Sequence, residues 1–136
     1  MILVDTSVWI EFLRGTESPH RLILHGLIES ERDVCLADII ITEVLQGIRS
    51  DRDFRAAKGY LLRFPVYGLD GIESYSSAAQ LYRRCRKKGV TLRGTVDCLI
   101  AQIAIEYGLV LFHKDRDYEQ IAGVDKKLQI LRVPAN

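Results

Sequence analysis

The 136-residue chain reads as an α/β protein, a three-layer domain whose mainly parallel central sheet is flanked by helices. Three observations point there. Short apolar runs of strand length alternate with longer stretches of helical period. Two of the runs, Ile2–Val4 and Leu109–Phe112, are apolar throughout, as buried strands are. No repeat or low-complexity linker interrupts the pattern, so residues 1–136 are expected to form a single domain.

The elements follow in order. Ile2–Val4 gives the first strand, and Asp5-Thr6-Ser7 suits the N-cap of a helix over Val8–Arg14 that Gly15 can stop. Ser18-Pro19 starts a helix to about Ser30. Val34–Leu36 is a second strand, and Asp38 is expected to cap a helix whose apolar stripe is Ile41, Val44, Leu45 and Ile48. A helix from Asp51 to about Arg63 precedes a short strand over Val66–Leu69. The next helix begins near Gly71, with apolar Ile72, Tyr75, Ala79 and Tyr82, and ends in the basic run Arg83 to Lys88 before Gly89. Thr95 caps a helix to Tyr107, and Gly108 closes it. After the Leu109–Phe112 strand come one helical turn at Tyr118–Ile121 and an edge strand over Leu128–Val133.

Composition excludes several classes. Hydrophobic residues make up 48% and charged residues 27%, which is neither disordered nor fibrous. Cys35, Cys85 and Cys98 are odd in number and lack C-x-x-C spacing, so a disulfide framework or zinc site is not expected and a reducing cytoplasm is. No apolar stretch approaches the roughly 18 residues needed to span a bilayer. The N-terminus lacks a basic region and a cleavage site, so it is read as part of the fold. A net charge of +1 leaves any nucleic-acid argument to local clusters.

The chemistry resides in dispersed acids. Asp5 and Asp115 each follow a strand, and the carboxyl ends of parallel strands form the crevice where ligands bind. A bare N-cap role for Asp5 is an even alternative. Asp97 lies nearly opposite the polar arc Thr95, Cys98, Gln102 and Glu106 of its helix, beside Ile100, Ala101 and Ala104. An ionised carboxylate there needs a partner or a metal. A structural pair with Arg93 is the competing reading. Glu43 sits at the border of its helix's apolar stripe, where a solvated glutamate is the default.

Two like charges about 4 Å apart repel by about 4 kcal/mol at an effective dielectric near 20, so converging acids call for a cation. Oxygen ligands without clustered His or Cys select Mg²⁺ or Mn²⁺ over zinc. His20, His25 and His113 are dispersed and read as surface or packing residues. Such a site suits hydrolysis of a phosphodiester; if two ions act, Asp5 is best placed to bridge them.

The segments Asp5-Thr6-Ser7-Val8-Trp9, Thr42-Glu43-Val44-Leu45-Gln46-Gly47, Val96-Asp97-Cys98-Leu99-Ile100-Ala101 and His113-Lys114-Asp115-Arg116-Asp117-Tyr118, in this order, resemble PIN-domain nucleases. The likeness is to the VapC toxins of bacterial and archaeal toxin–antitoxin pairs and spans essentially the whole chain. It implies an endoribonuclease that cuts RNA, often tRNA or ribosomal RNA, and is held inactive by a VapB-type antitoxin. It also implies a homodimer and an antitoxin segment in a groove near the site. By position, Asp5, Glu43, Asp97 and Asp115 match the family's metal-binding acids. Thr6 matches a small hydroxyl residue beside the first aspartate, and Asp117 a less regular acidic position.

RNA binding predicts local positive charge beside the acids. Arg86, Lys87, Lys88 and Arg93, with Arg83 and Arg84, form the densest cluster; cations suited to a helix C-terminus are an equal alternative. Trp9, Phe12 and Tyr75 read as packing or antitoxin-groove residues. A receiver domain would need Lys-Pro where Lys114-Asp115 stands, and a haloacid-dehalogenase phosphatase Asp-x-Asp where Asp5-Thr6-Ser7 stands. A catalytically silent PIN-like binding module is the remaining alternative, and it would usually have lost an acid.

Overall fold

A computed structural model describes residues 1–133; the last three residues of the expected 1–136 domain lie outside the described residues. Its strands are β1 (Ile2–Val4), β2 (Val34–Ala37), β3 (Val66–Tyr67), β4 (Val110–Phe112) and β5 (Gln129–Ile130). They form one five-stranded sheet in the order β3-β2-β1-β4-β5, and every pairing is parallel. The helices are α1 (Thr6–Arg14), α2 (Pro19–Glu29), α3 (Asp38–Leu45), α4 (Asp51–Leu61), α5 (Ile72–Lys87), α6 (Val96–Tyr107) and α7 (Arg116–Val124). The expected α/β/α architecture is therefore present. Parallel strands need helical crossovers, and helices on both faces leave β1 and β4 without a solvated side. Leu3, Val4, Leu111 and Phe112 are accordingly fully buried.

Successive strands step one way from β1 to β3 and the other way from β4 to β5, which makes the β1–β4 seam the point where strand order reverses. The register pairs Val4 with Phe112, and the Asp5 N–H donates to the Phe112 carbonyl at 2.9 Å. The residues just past these strands, Asp5 and His113 onward, thus start from one crevice.

Several local expectations need correction. Ala37, not Asp38, caps α3; the Asp38 carboxylate instead accepts from the Ile39 N–H next to it. α3 ends at Leu45, and its buried residues are Ile40, Val44 and Leu45, so Ile41 and Ile48 are only half-buried. Thr95 does cap α6, but through its carbonyl, which accepts from Cys98 and Leu99, and not through its side chain. β3 and β5 are each two residues long, shorter than read, and α7 runs nine residues where one turn was expected.

α5 buries a different stripe: Ser74, Ala78, Leu81 and Cys85 face inward, while Ile72 is 81% and Tyr75 51% exposed. Small side chains let α5 lie close against α6 and α7, so the buried face is not the one with the largest apolar residues. The three cysteines are buried and unpaired, and burial pushes the Cys35 and Cys98 thiols up to about 12. Gly15 and Gly108 close α1 and α6 with φ of 70° and 64°, the left-handed turn that glycine adopts without strain.

Candidate functional site

Asp5 leaves β1 and caps α1, and its side chain does two tasks. Oδ2 accepts from the Ser7 N–H at 3.4 Å and the Ser7 hydroxyl at 3.0 Å. Oδ1 accepts from the Tyr118 hydroxyl at 2.9 Å, inside the protein. Asp5 thus caps α1 with one oxygen and turns the other inward to Tyr118. Burial pushes the Asp5 carboxyl above its usual range, although the Tyr118 and Ser7 donors pull the other way.

Asp115 repeats the arrangement after β4. It caps α7, with Oδ1 accepting from the Asp117 N–H at 2.9 Å. Its own N–H donates to Nδ1 of His113 at 2.9 Å. That bond requires a bare Nδ1, so the ring proton sits on Nε2, which lies 3.3 Å from a Glu119 carboxylate oxygen. Arg132, beyond β5, holds the same carboxylate with bonds of 2.8 and 3.0 Å. His113 is thus buried and positions the Asp115 backbone. Burial lowers its pKa, which keeps the ring neutral.

Asp97 enters from the first turn of α6. Its carboxyl is pushed up to about 7, first by burial, then by the neighbouring charges of Asp115 and Asp5. It also approaches the Tyr118 hydroxyl, whose own pKa is raised by burial and by both aspartates. Only the ends of the expected polar arc of α6 are solvated: Thr95 and Glu106 are exposed, whereas Cys98 and Gln102 are buried, because α6 packs against α5, α7 and β4. The competing Asp97–Arg93 pair does not form. Arg93 instead reaches Asp115 and Asp117.

The carboxylates do not all meet at one distance. Asp97, Asp115 and Asp117 each offer an oxygen within 4.8 Å of the others. Asp117 is 5% exposed and is one of the three members of this group. Asp5 joins through Tyr118 and through its field on Asp97. Glu43 stands apart from the trio and accepts a 2.6 Å hydrogen bond from the Thr6 hydroxyl. The donor chemistry fits a hard divalent cation: the donors are all oxygen and clustered, and a cation would relieve the repulsion that, after burial, raises the Asp97 carboxyl.

The basic residues divide. Arg93 lies on the acidic cluster, with its Nη2 donating to Asp115 Oδ1 at 2.6 Å. Arg86, Lys87 and Lys88 are exposed at the end of α5, and Arg84 pairs with Asp125 at 3.0 Å. Trp9 is buried and half-buried Phe12 packs edge to face against it, whereas Tyr75 is 51% exposed. Ser7 and His113 hold the acids in roles not expected from the sequence, and so does Tyr118. Its only signal was adjacency to Asp117.

A PIN domain family model matches residues 2–124. VapC ribonuclease Mb1587 of Mycobacterium bovis is 33% identical over 125 residues, covering 91% of this chain and 93% of the relative. Ribonuclease VapC11 of Mycobacterium tuberculosis matches with the same figures. Among solved structures, the DNA-bound VapBC of Salmonella typhimurium superposes with a TM-score of 0.73 at 24% identity, covering 96% of each chain. VapBC2 of Rickettsia felis, bound to a DNA fragment from its promoter, gives 0.72 at 16% identity over 96% of this chain and 98% of that one. These two likenesses speak to the fold. With the relatives and the family model, they establish that the chain belongs to the PIN-domain family, among its VapC ribonucleases.

Proposed function

We propose that this protein is a Mg²⁺- or Mn²⁺-dependent endoribonuclease, the toxin of a toxin–antitoxin pair, and that residues 1–136 act as one PIN domain. The observation that carries the reading is the grouping of Asp97, Asp115 and Asp117 within 4.8 Å, beside buried Asp5. An ion held by these carboxylates, with Asp5 and Glu43 completing its surroundings, would supply a water of lowered pKa and charge stabilisation at phosphorus.

The chain's own residues prepare that chemistry. Ser7 and Tyr118 fix both oxygens of Asp5, and Thr6 fixes Glu43. The Asp117 N–H and His113 fix Asp115 from two sides. Without the ion, burial and the charges of Asp115 and Asp5 push the Asp97 carboxyl up to about 7, so near neutrality a bound ion would displace its proton. RNA is the substrate class proposed, tRNA or ribosomal RNA first, with Arg86, Lys87 and Lys88 contacting phosphates along the approach.

A VapB-type antitoxin is the proposed regulator. An open groove of about 570 Å³, lined by Leu13, Gly47, Ile48, Ala57 and Tyr60 with Arg14 and Asp53 at its polar edge, supports a docked apolar segment. Exposed Ile72 and Tyr75 on α5 support a homodimer. The test is cleavage of RNA by purified, antitoxin-free protein with Mg²⁺ or Mn²⁺, against EDTA and an Asp97→Asn variant. Cleavage is expected only for the metal-loaded parent. Equal cleavage by the variant refutes the site, and RNA binding without cleavage by either protein returns the silent binding module.

A further inference from the structure

We infer that Arg93 is an internal cation that occupies the carboxylate cluster alternately with the divalent ion and is released when the ion binds. The inference rests on the metal-site reading above. Arg93 lies in the segment joining α5 to α6 and makes three contacts with the cluster. Nη2 donates to Asp115 Oδ1 at 2.6 Å, Nε to Asp117 Oδ2 at 3.4 Å, and the backbone N–H to the same Asp117 oxygen at 3.3 Å.

Lone pairs set the conflict. Asp115 Oδ1 already accepts two donors, the Arg93 guanidinium and the Asp117 N–H. A carboxylate oxygen has about two lone-pair sites, so a metal bond there displaces one donor. The Asp117 N–H belongs to the cap of α7 and is held by the helix. Among the described residues the guanidinium is held by these acids alone, and its side chain is 74% exposed, so it can turn away without uncovering core. Charge works in the same direction, because a divalent ion bonds oxygen at about 2.0–2.1 Å and a delocalised guanidinium cannot share that space.

The backbone contact gives the release a fixed pivot. The Arg93 N–H stays on Asp117 while the side chain rotates, so the freed guanidinium remains at the mouth of the cluster. There it meets the phosphate of an entering RNA, for which a planar fork of donors is suited. The same arginine balances the acids before the ion arrives and faces the substrate afterwards.

Calorimetry with Mn²⁺ on antitoxin-free parent, Arg93→Gln and Arg93→Lys proteins, each confirmed folded by its thermal melt, tests this. Loss of the competing cation at two ion pairs whose arginine is solvent-exposed predicts about threefold to tenfold tighter Mn²⁺ binding for Arg93→Gln, with Arg93→Lys between. In the parent, the Arg93 Nε–H resonance should shift on Mg²⁺ titration, with the midpoint that calorimetry gives for Mg²⁺. Equal or weaker Mn²⁺ binding by Arg93→Gln overturns the inference, since Arg93 would then merely orient Asp115 and Asp117. So does an Nε–H signal that stays in place at saturating Mg²⁺. Absence of binding by every protein overturns the metal-site reading itself, and the inference with it.

Discussion

Replacing Asp97 by asparagine removes a charge while keeping the side chain's shape, and its effect on stability should change sign with the metal. In the folded protein the Asp97 carboxyl titrates at about 7, against 3.8 for the free group. That difference of about three units corresponds to a ceiling of about 4 kcal/mol. Because the group is only partly withdrawn from solvent, screening reduces this to about 1–2 kcal/mol. The folded value is the higher one, so the group's contribution is fully present below about pH 4 and is lost as pH rises through about 7. Asparagine does not titrate. In EDTA at about pH 8, Asp97→Asn should therefore exceed the parent by about 1–2 kcal/mol, or about 3–8 °C in Tm, and match it near pH 4. With saturating Mn²⁺ at about pH 8 the order reverses, because only the parent gains a bound ion. Thermal melts followed by circular dichroism read both arms. Identical pH dependence for the two proteins in EDTA would refute the argument that like charges and burial set the Asp97 carboxyl.

Other perturbations bear on the neighbouring groups. Tyr118→Phe removes the buried donor to Asp5 and should cost about 1–3 kcal/mol in urea melts. It should also move the acid limb of the pH–rate profile upward, since Asp5 loses a bond that favours its ionised form. Mn²⁺ at about a hundred times its Kd should stabilise the parent by about 2.7 kcal/mol, less below about pH 7 where Asp97 must shed a proton, as differential scanning fluorimetry across pH would read. Replacing Arg86, Lys87 and Lys88 together with Ser should weaken RNA binding and flatten its log–log salt slope by about 2, at about 0.7 per contact; an unchanged slope leaves the run a solvated helix end.

The sequence was most legible where burial imposes a simple pattern. β1 and β4 lie between two helical layers, so each is an unbroken apolar run, and the polar residues that follow must be at strand ends. That placed Asp5 and Asp115 without knowledge of the fold. The argument for Asp97 holds only in part: of the face opposite it, Thr95 and Glu106 are exposed, but Cys98 and Gln102 are buried. What survives is that a carboxylate in a nearly enclosed helix has to face other polar groups. The resemblance gives Asp117 only as a less regular acidic position, yet the first turn of α7 brings one of its oxygens within 4.8 Å of those of Asp97 and Asp115. Tyr118 could not be read at all, since its partner Asp5 is 113 positions away and a tyrosine on a helix resembles any packing residue. The same limit hid the inward face of α5, where Ser74 and Ala78 matter for their smallness and Ile72 stays outside.

Asp5 and Asp115 each close the N-terminal end of a nine-residue helix, and both helices start from the same crevice. Each helix end carries the equivalent of about half a positive charge in its unpaired N–H groups. The backbone therefore provides a fixed positive potential under the acids, independent of any bound ion or lysine. It relieves part of the repulsion among the carboxylates and favours any anion that reaches the same rim. Because this potential belongs to peptide dipoles, side-chain substitution cannot remove it while α1 and α7 remain helical. A variant stripped of its acids would keep the helix ends, and the crevice would turn from an acidic site into a place that attracts anions.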